Sequence, residues 1–263
     1  MSAVNASPAQ ISLGRVIAAG FQLMAQRPVS ILALTVALAY VPSIASIWTD
    51  THLVGGFTPA GAPDYLVREA RRFGGLELVG FVVAGVNWMF QGSVALFALA
   101  AAVEPDADPI ALAGRLPGRW PLSFGFGMVA TAAVALGTLA LIVPGLLLAL
   151  AWGVAPAVVA VERRGFPGVF RRSAELTRGN RGSLFGLFLI YGVVRAVSTY
   201  GLRFAFGAPI RVGAGSDMLN YGLQPVLSAA LSAVYACVMA ATYLELRGLH
   251  EGARVGTVAG TFD

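Results

Sequence analysis

Between Trp120 and Val161 the chain runs for 42 residues without a charge, and no other feature restricts its fold so severely. As one helix that run would reach about 63 Å at roughly 1.5 Å per residue, twice the roughly 30 Å of a bilayer's hydrocarbon core. It must therefore turn back once. Pro144-Gly145 is where the spacing predicts the reversal, because proline lacks a backbone donor and glycine accepts the φ values of a tight turn. That leaves 24 apolar residues before the turn and 16 after it. Glu162-Arg163-Arg164 and a basic segment from Phe170 to Asn180 follow directly. The pattern reads as a transmembrane hairpin closed by a charged collar.

Composition agrees, since 57% hydrophobic and 12% charged residues exclude a soluble domain, whose charged share is about 25%. All 18 basic residues are arginine. The net charge of +5 follows from where they sit relative to the spans, and no nucleic-acid partner is expected. The single cysteine, Cys237, excludes an intrachain disulfide or a cysteine metal cluster, and its apolar neighbours predict a packed thiol. Arg15 and Arg27 precede an apolar run ending in Ser43-Ile44-Ala45, which mimics a cleavage site. A leader of that length exceeds the usual 15 to 30 residues and more spans follow, so an uncleaved N-terminus is expected.

The expected fold is all-α: a single polytopic membrane domain of six transmembrane helices with an N-terminal and a cytoplasmic amphipathic interfacial helix. Ser7-Pro8-Ala9-Gln10 reads as a capping box that opens a surface helix over 8–26, with Leu13, Val16, Ile17, Gly20, Phe21 and Met24 on one face. Spans are predicted over about 29–49 (with a kink at Pro42), 78–103, 121–143, 146–161, 183–206 and 222–244. A mixed loop joins the first two spans and contains a short helix over Tyr65–Phe73. Glu104–Arg119 is a polar loop. The collar helix spans 167–178, started by Pro167 and stopped by Gly179, with Val169, Phe170, Ser173 and Thr177 on its inner side. The fifth span is the least defined, because the apolar run Ser183–Val194 holds only 12 residues before Arg195.

Assigning alternate loops to one side gathers twelve arginines there, against Arg68, Arg71, Arg72 and Arg211 on the other; Arg195 and Arg203 fall within the fifth span. The positive-inside rule then makes both termini cytoplasmic.

These residues resemble a known family. The amphipathic N-terminal helix, Pro144-Gly145 followed by Trp152, Pro156 and Glu162, then Arg172-Ser173-x-x-Leu176-Thr177-x-Gly179-Asn180, and Tyr243-x-x-Leu246-Arg247-x-x-x-Glu251-Gly252 are similar to one bacterial pattern. It is the membrane domain of glycerophosphoryl diester phosphodiesterases and of stand-alone YciC-like inner-membrane proteins. The resemblance implies a six-span helical fold in the bacterial cytoplasmic membrane and assigns no chemistry to the membrane part. In two-domain members a separate soluble barrel performs hydrolysis. Such a barrel takes about 250 residues. Only 11 residues follow Gly252, so a membrane domain without it is expected.

No catalytic constellation stands out. His52 and His250 fall on opposite membrane faces in this topology, no metal-ligand, nucleophile-elbow or nucleotide-loop pattern is present, and neither a cofactor nor an enzyme activity is expected. Arg195 is the sharpest candidate, since an ionised side chain near the bilayer centre is a functional-site hypothesis by default. Asn87 and Gln91 of the second span lie at the same depth. Tyr191, Arg195, Thr199 and Arg203 follow at four-residue steps and form a polar stripe. One reading is a groove in which Arg195 and Arg203 attract an anionic group such as a lipid phosphate. The other is that amides and backbone carbonyls neutralise Arg195, or that it snorkels to the surface. Likewise, Arg171, Arg172 and Arg178 of the collar either bind anionic head groups or anchor topology through pairs such as Arg171 with Glu175. Glu245 and Arg247, beside Tyr243, are expected to close the sixth span against the collar. Pro144, Gly145, Glu162, Ser173, Tyr243 and Arg247 are the expected structural motif residues.

The functional expectation is a non-enzymatic, lipid-associated or scaffolding component of the bacterial envelope. Alternatives are a transporter or lipid translocator using the groove around Arg195, and an accessory subunit of a larger complex. Its partners are membrane lipids, anionic phospholipid among them, with protein partners or a second copy as further candidates.

Overall fold

The computed structural model describes residues 11–44, 64–104, 106–162, 164–206 and 218–251, with backbone alone over 64–81. The capping box at Ser7–Gln10, His52 and the loop around it, Arg163, Arg211 and Arg254 lie outside these residues. Every element described is helical: α1 (Leu13–Gln26), α2 (Pro28–Thr35) with a π-helical turn (Val36–Tyr40), α3 (Asp64–Val103), α4 (Pro109–Gly114) and α5 (Trp120–Ala140). After them come α6 (Ile142–Trp152), α7 (Ala155–Val161), α8 (Phe166–Leu176), α9 (Arg181–Ala205) and α10 (Gln224–Glu251), the last entered through a second π-helical turn (Met218–Leu223). Among the described residues five stretches are long and apolar enough to cross a membrane: Val82–Val103, Trp120–Ala140, Ile142–Val161, Arg181–Ala205 and Tyr221–Glu251. The pair Leu13–Gln26 and Pro28–Ile44, bent by 93°, makes a sixth only if taken together.

The N-terminal helix starts later than its capping box suggests. Residues 11 and 12 are not helical, and Ser12 precedes the first turn without a side-chain cap bond. The Ser12 amide instead donates to Glu245 Oε1 (3.4 Å) and the Ile11 amide to Asn180 Oδ1 (3.1 Å), so tertiary acceptors replace the cap. Val16, Gly20 and Leu23 are buried, and a Cβ on Gly20 would stand 2.7 Å from Val238 Cγ2. The predicted apolar face therefore packs on α10 rather than only on lipid. Arg27 ends α1 because a residue before proline avoids the α conformation. The π-helical turn immediately precedes Pro42, where the ring removes a donor and the ladder loosens.

The expected break between the Tyr65–Phe73 helix and the second span does not occur, and α3 runs 40 residues without interruption. No proline falls between Asp64 and Val103. Gly74 and Gly75 weaken a helix by only about 1 kcal/mol each, less than ending and renucleating one. The Glu104–Arg119 loop contains a helix that composition alone conceals, because Asp108 accepts bonds from the Ile110 and Ala111 amides (3.1 and 3.4 Å) while Pro109 fills the first position.

The hairpin reverses at Leu141, in extended conformation, and not at Pro144-Gly145. Pro144 and Gly145 lie in the first turn of α6, where a missing N–H is no loss. Gly145 serves the close crossing of α5 and α6: a Cβ there would lie 2.5 Å from Thr138 N and 2.8 Å from its Cα. The expected fourth span is broken in two at Gly153-Val154, ahead of Pro156 near the start of α7. The fifth span is continuous for 25 residues and takes Arg195 and Arg203 into the helix.

On the predicted inner side of the collar helix α8, Val169, Ser173 and Thr177 are buried and Phe170 is half-buried, and Leu176 is buried with them. Gly179, at φ 88°, ends the helical path in the left-handed region that glycine adopts freely. Phe170 stacks on Phe126 of α5 at 4.1 Å and meets Trp152 of α6 edge-on at 4.6 Å. The collar is thus docked on protein along its apolar side. By contrast α9 buries only Leu184, Leu187 and Arg203 and leaves Leu189, Ile190, Val193 and Val197 exposed.

Candidate functional site

A half-open cavity of about 730 Å³ lies among α3, α5, α6, α9, α10 and the first π-helical turn. Its polar lining includes Asn87, Gln91, Tyr191, Arg195, Ser228 and Ser232. Among the described residues Arg195 is the only charged one lining it, and no Asp or Glu does. Helical geometry puts Arg195 about 21 Å along α9 from Arg181, near the middle of the helix. Arg195 is exposed although it lines the cavity, so it stands at the rim. Its one hydrogen bond among the described residues runs to Tyr191 Oη at 3.4 Å, long for a charged donor. The Tyr191 ring packs against Tyr235 at 4.4 Å, which holds the hydroxyl in place. Asn87 and Gln91 have no side-chain hydrogen bond among the described residues, so both amides are open to whatever occupies the cavity.

Three of the predicted residues, Asn87, Gln91 and Arg195, therefore share one cavity. Arg203 does not line it. That guanidinium is only 1% exposed and donates to Gln224 Oε1 at 2.8 Å, joining the end of α9 to the start of α10. The four-residue stripe thus divides, with Tyr191 and Arg195 at the cavity and Arg203 in protein contact.

The break in the fourth span borders the same cavity through Trp152 and Gly153. Ser173 Oγ of α8 donates to the Ala151 carbonyl there (2.9 Å), and Thr177 Oγ1, just past the helix, lies within reach of the same carbonyl (3.3 Å) and of the Ser173 carbonyl (3.0 Å). Sequence reasoning placed these hydroxyls on the buried face without finding their partner. Two hydroxyls four residues apart on an otherwise apolar face were the available signal.

At the far end of α8, Glu162 is 7% exposed and accepts bonds from Arg164 Nε (2.5 Å), Arg172 Nε (3.0 Å) and Tyr243 Oη (3.0 Å). Arg172 also bonds Glu251, which pairs with Arg247 at 2.8 Å. Arg247 in turn reaches Tyr243 Oη at 3.4 Å. Burial would lower the affinity of Arg172 for its proton, but the hydrogen bonds to Glu162 and Glu251 outweigh it and hold the guanidinium above its ordinary range. Arg172 is thus half-buried and cross-links Glu162 with Glu251. Arg171 is exposed and pairs with Glu175 at 3.5 Å, and Arg178 is exposed too. Glu245, expected to close against the collar, pairs instead with Arg15 of α1 at 3.2 Å.

Two arginines escaped the sequence reading. Arg27 donates to the carbonyls of Glu104 (3.0 Å) and Ala107 (2.9 Å), beyond the last turn of α3. Arg119 donates to those of Val159 (3.0 Å) and Ala160 in α7. Both satisfy carbonyls at helix ends. Their position beside a span boundary was the only hint.

Long apolar helices with a polar cavity among them are the features of an all-helical membrane protein. Residues 3–246 match the model of a domain of unknown function, DUF7847, and the chain belongs to that family. No curated protein and no solved structure matches it.

Proposed function

We propose that the chain is a non-enzymatic, lipid-associated protein of the bacterial cytoplasmic membrane whose central cavity binds the anionic head group of a lipid. The observation that carries this reading is Arg195 at the cavity rim, near the middle of α9, with one long bond to Tyr191 and no acid in the lining among the described residues. A guanidinium at that depth is costly without a counter-charge, and a lipid phosphate supplies one with two-point geometry. Six spans with cytoplasmic termini fit this reading. The 93° bend between α1 and the helix from Pro28 lets α1 lie along the surface while the next segment enters the bilayer. Twelve arginines against four favour the same orientation. The resemblance to the phosphodiesterase membrane domain and YciC-like proteins supports the bacterial setting.

The test is lipid retention. Protein purified in mild detergent should carry anionic phospholipid, and Arg195→Leu should retain about tenfold less of it, the loss of one charge-assisted pair. Equal retention by the variant would remove the cavity from the account.

The two-residue turn within Ile142–Val161 and the polar cavity beside it suit a second reading, translocation, because helix interruptions beside a cavity are a common setting of transport sites. Protein-dependent movement of a fluorescent anionic lipid between vesicle leaflets, abolished by Arg195→Leu, would establish it. Lipid retention without such movement would leave binding alone.

A further inference from the structure

We propose that the ligand is an acyl-chain amphiphile whose head carries one net negative charge and no ammonium group. This rests on the reading that the cavity binds an anion at Arg195. The shared chemistry is that of a glycerol-headed phosphodiester or a fatty-acid carboxylate.

The charge inventory carries the inference. Among the described residues Arg195 is the only cation in the lining, so one negative charge is neutralised and a second would be stranded in a low-dielectric setting. A phosphate monoester is disfavoured on that ground. The described residues of the lining include no carboxylate, so the ammonium of a zwitterionic head would find no counter-ion among them. Asn87, Gln91, Ser228 and Ser232 offer neutral donors and acceptors, which suit the hydroxyls of a glycerol head or the second oxygen of a carboxylate.

Size and position decide where the chains go. A volume of about 730 Å³ is that of a site for one small ligand. It takes a head group and the start of a chain. Beyond the rim, α9 exposes Val193, Val194 and Val197, an apolar surface along which the chains continue into the bilayer. The ligand therefore enters sideways from the membrane, head first to Arg195.

The experiment uses delipidated full-length protein in detergent. Dioleoylphosphatidylglycerol, oleate, dioleoylphosphatidylethanolamine and dioleoylphosphatidic acid are each added, and native mass spectrometry reads what is retained. Phosphatidylglycerol, oleate or both should be retained about tenfold above phosphatidylethanolamine and phosphatidic acid, a difference of one well-made charge pair. Which of the two leads identifies the source of the single anion. Arg195→Gln should abolish the preference, Arg195→Lys should keep its order with weaker retention, and the paired change Arg171→Gln with Arg178→Gln should leave it intact. Phosphatidylethanolamine or phosphatidic acid bound as well as the others, still through Arg195, would overturn the ligand class and leave the cavity reading standing. Retention that ignores Arg195→Gln but falls with the collar variant would overturn both. The buried Cys237 thiol, protected in each variant, verifies folding.

Discussion

Replacing Glu162 by glutamine removes the one negative charge at which three side chains converge. Arg172 Nε and Tyr243 Oη both stand 3.0 Å from Glu162 Oε1, Arg164 closes on the other oxygen, and Tyr243 is fully buried. Breaking a buried ion pair by removing one partner destabilises by about 3–5 kcal/mol. Arg172 is 13% exposed and keeps Glu251, which offsets part of that loss, so about 2–3 kcal/mol is expected for Glu162→Gln. Tyr243→Phe removes the bond to the charged Glu162 together with the longer one that Arg247 donates to Oη, about 1.5–3 kcal/mol in all. The two residues share a bond, so the double variant should fall short of the sum by about 1 kcal/mol. Cys237 makes the assay simple. As the sole cysteine, buried on α10, its labelling by a thiol-reactive dye during graded denaturation in detergent reports unfolding directly. Additive losses, within about 0.3 kcal/mol, would refute the Glu162–Tyr243 bond as the junction between collar and last helix.

Gly145→Ala should destabilise by about 1–3 kcal/mol in the same assay, because the new methyl group meets the backbone of Thr138 as well as its hydroxyl, and turning the side chain away would not relieve the backbone contact. Gly192→Ala is its control: nothing lies within 4 Å, and a neutral or slightly stabilising change is expected from helix propensity alone. Ser173→Ala combined with Thr177→Val leaves the Ala151 carbonyl without its two hydroxyl donors and should cost about 1–3 kcal/mol, while either change alone costs less because the other hydroxyl remains. Thermal midpoints of the three variants separate these outcomes. Equal losses for the single and double changes would show that the hydroxyls do not share the carbonyl.

Much of the architecture is legible in apolar run lengths. The 42 uncharged residues from Trp120 require a reversal, and the one-sided apolar pattern of α8 predicts the face that docks. The pairing of Asn87 and Gln91 with Arg195 follows from equal depth on two spans. What runs cannot convey is which atom meets which. Pro144-Gly145 has the chemistry of a turn, yet its use is decided by how closely α5 and α6 cross, a distance set between helices. Arg203 and Arg172 look like their neighbours in the sequence and are told apart only by Gln224, Glu162 and Glu251 arriving from elsewhere in the chain.

From the sequence alone come the all-helical class and the presence of several helices apolar enough to cross a membrane, because backbone donors and acceptors in an apolar setting must be satisfied within the helix itself. The tertiary structure alone decides where the hairpin turns, how the fourth span breaks, and which arginines face a cavity rather than a carboxylate. Those outcomes depend on contacts between segments far apart in the chain, and local periodicity carries no record of them.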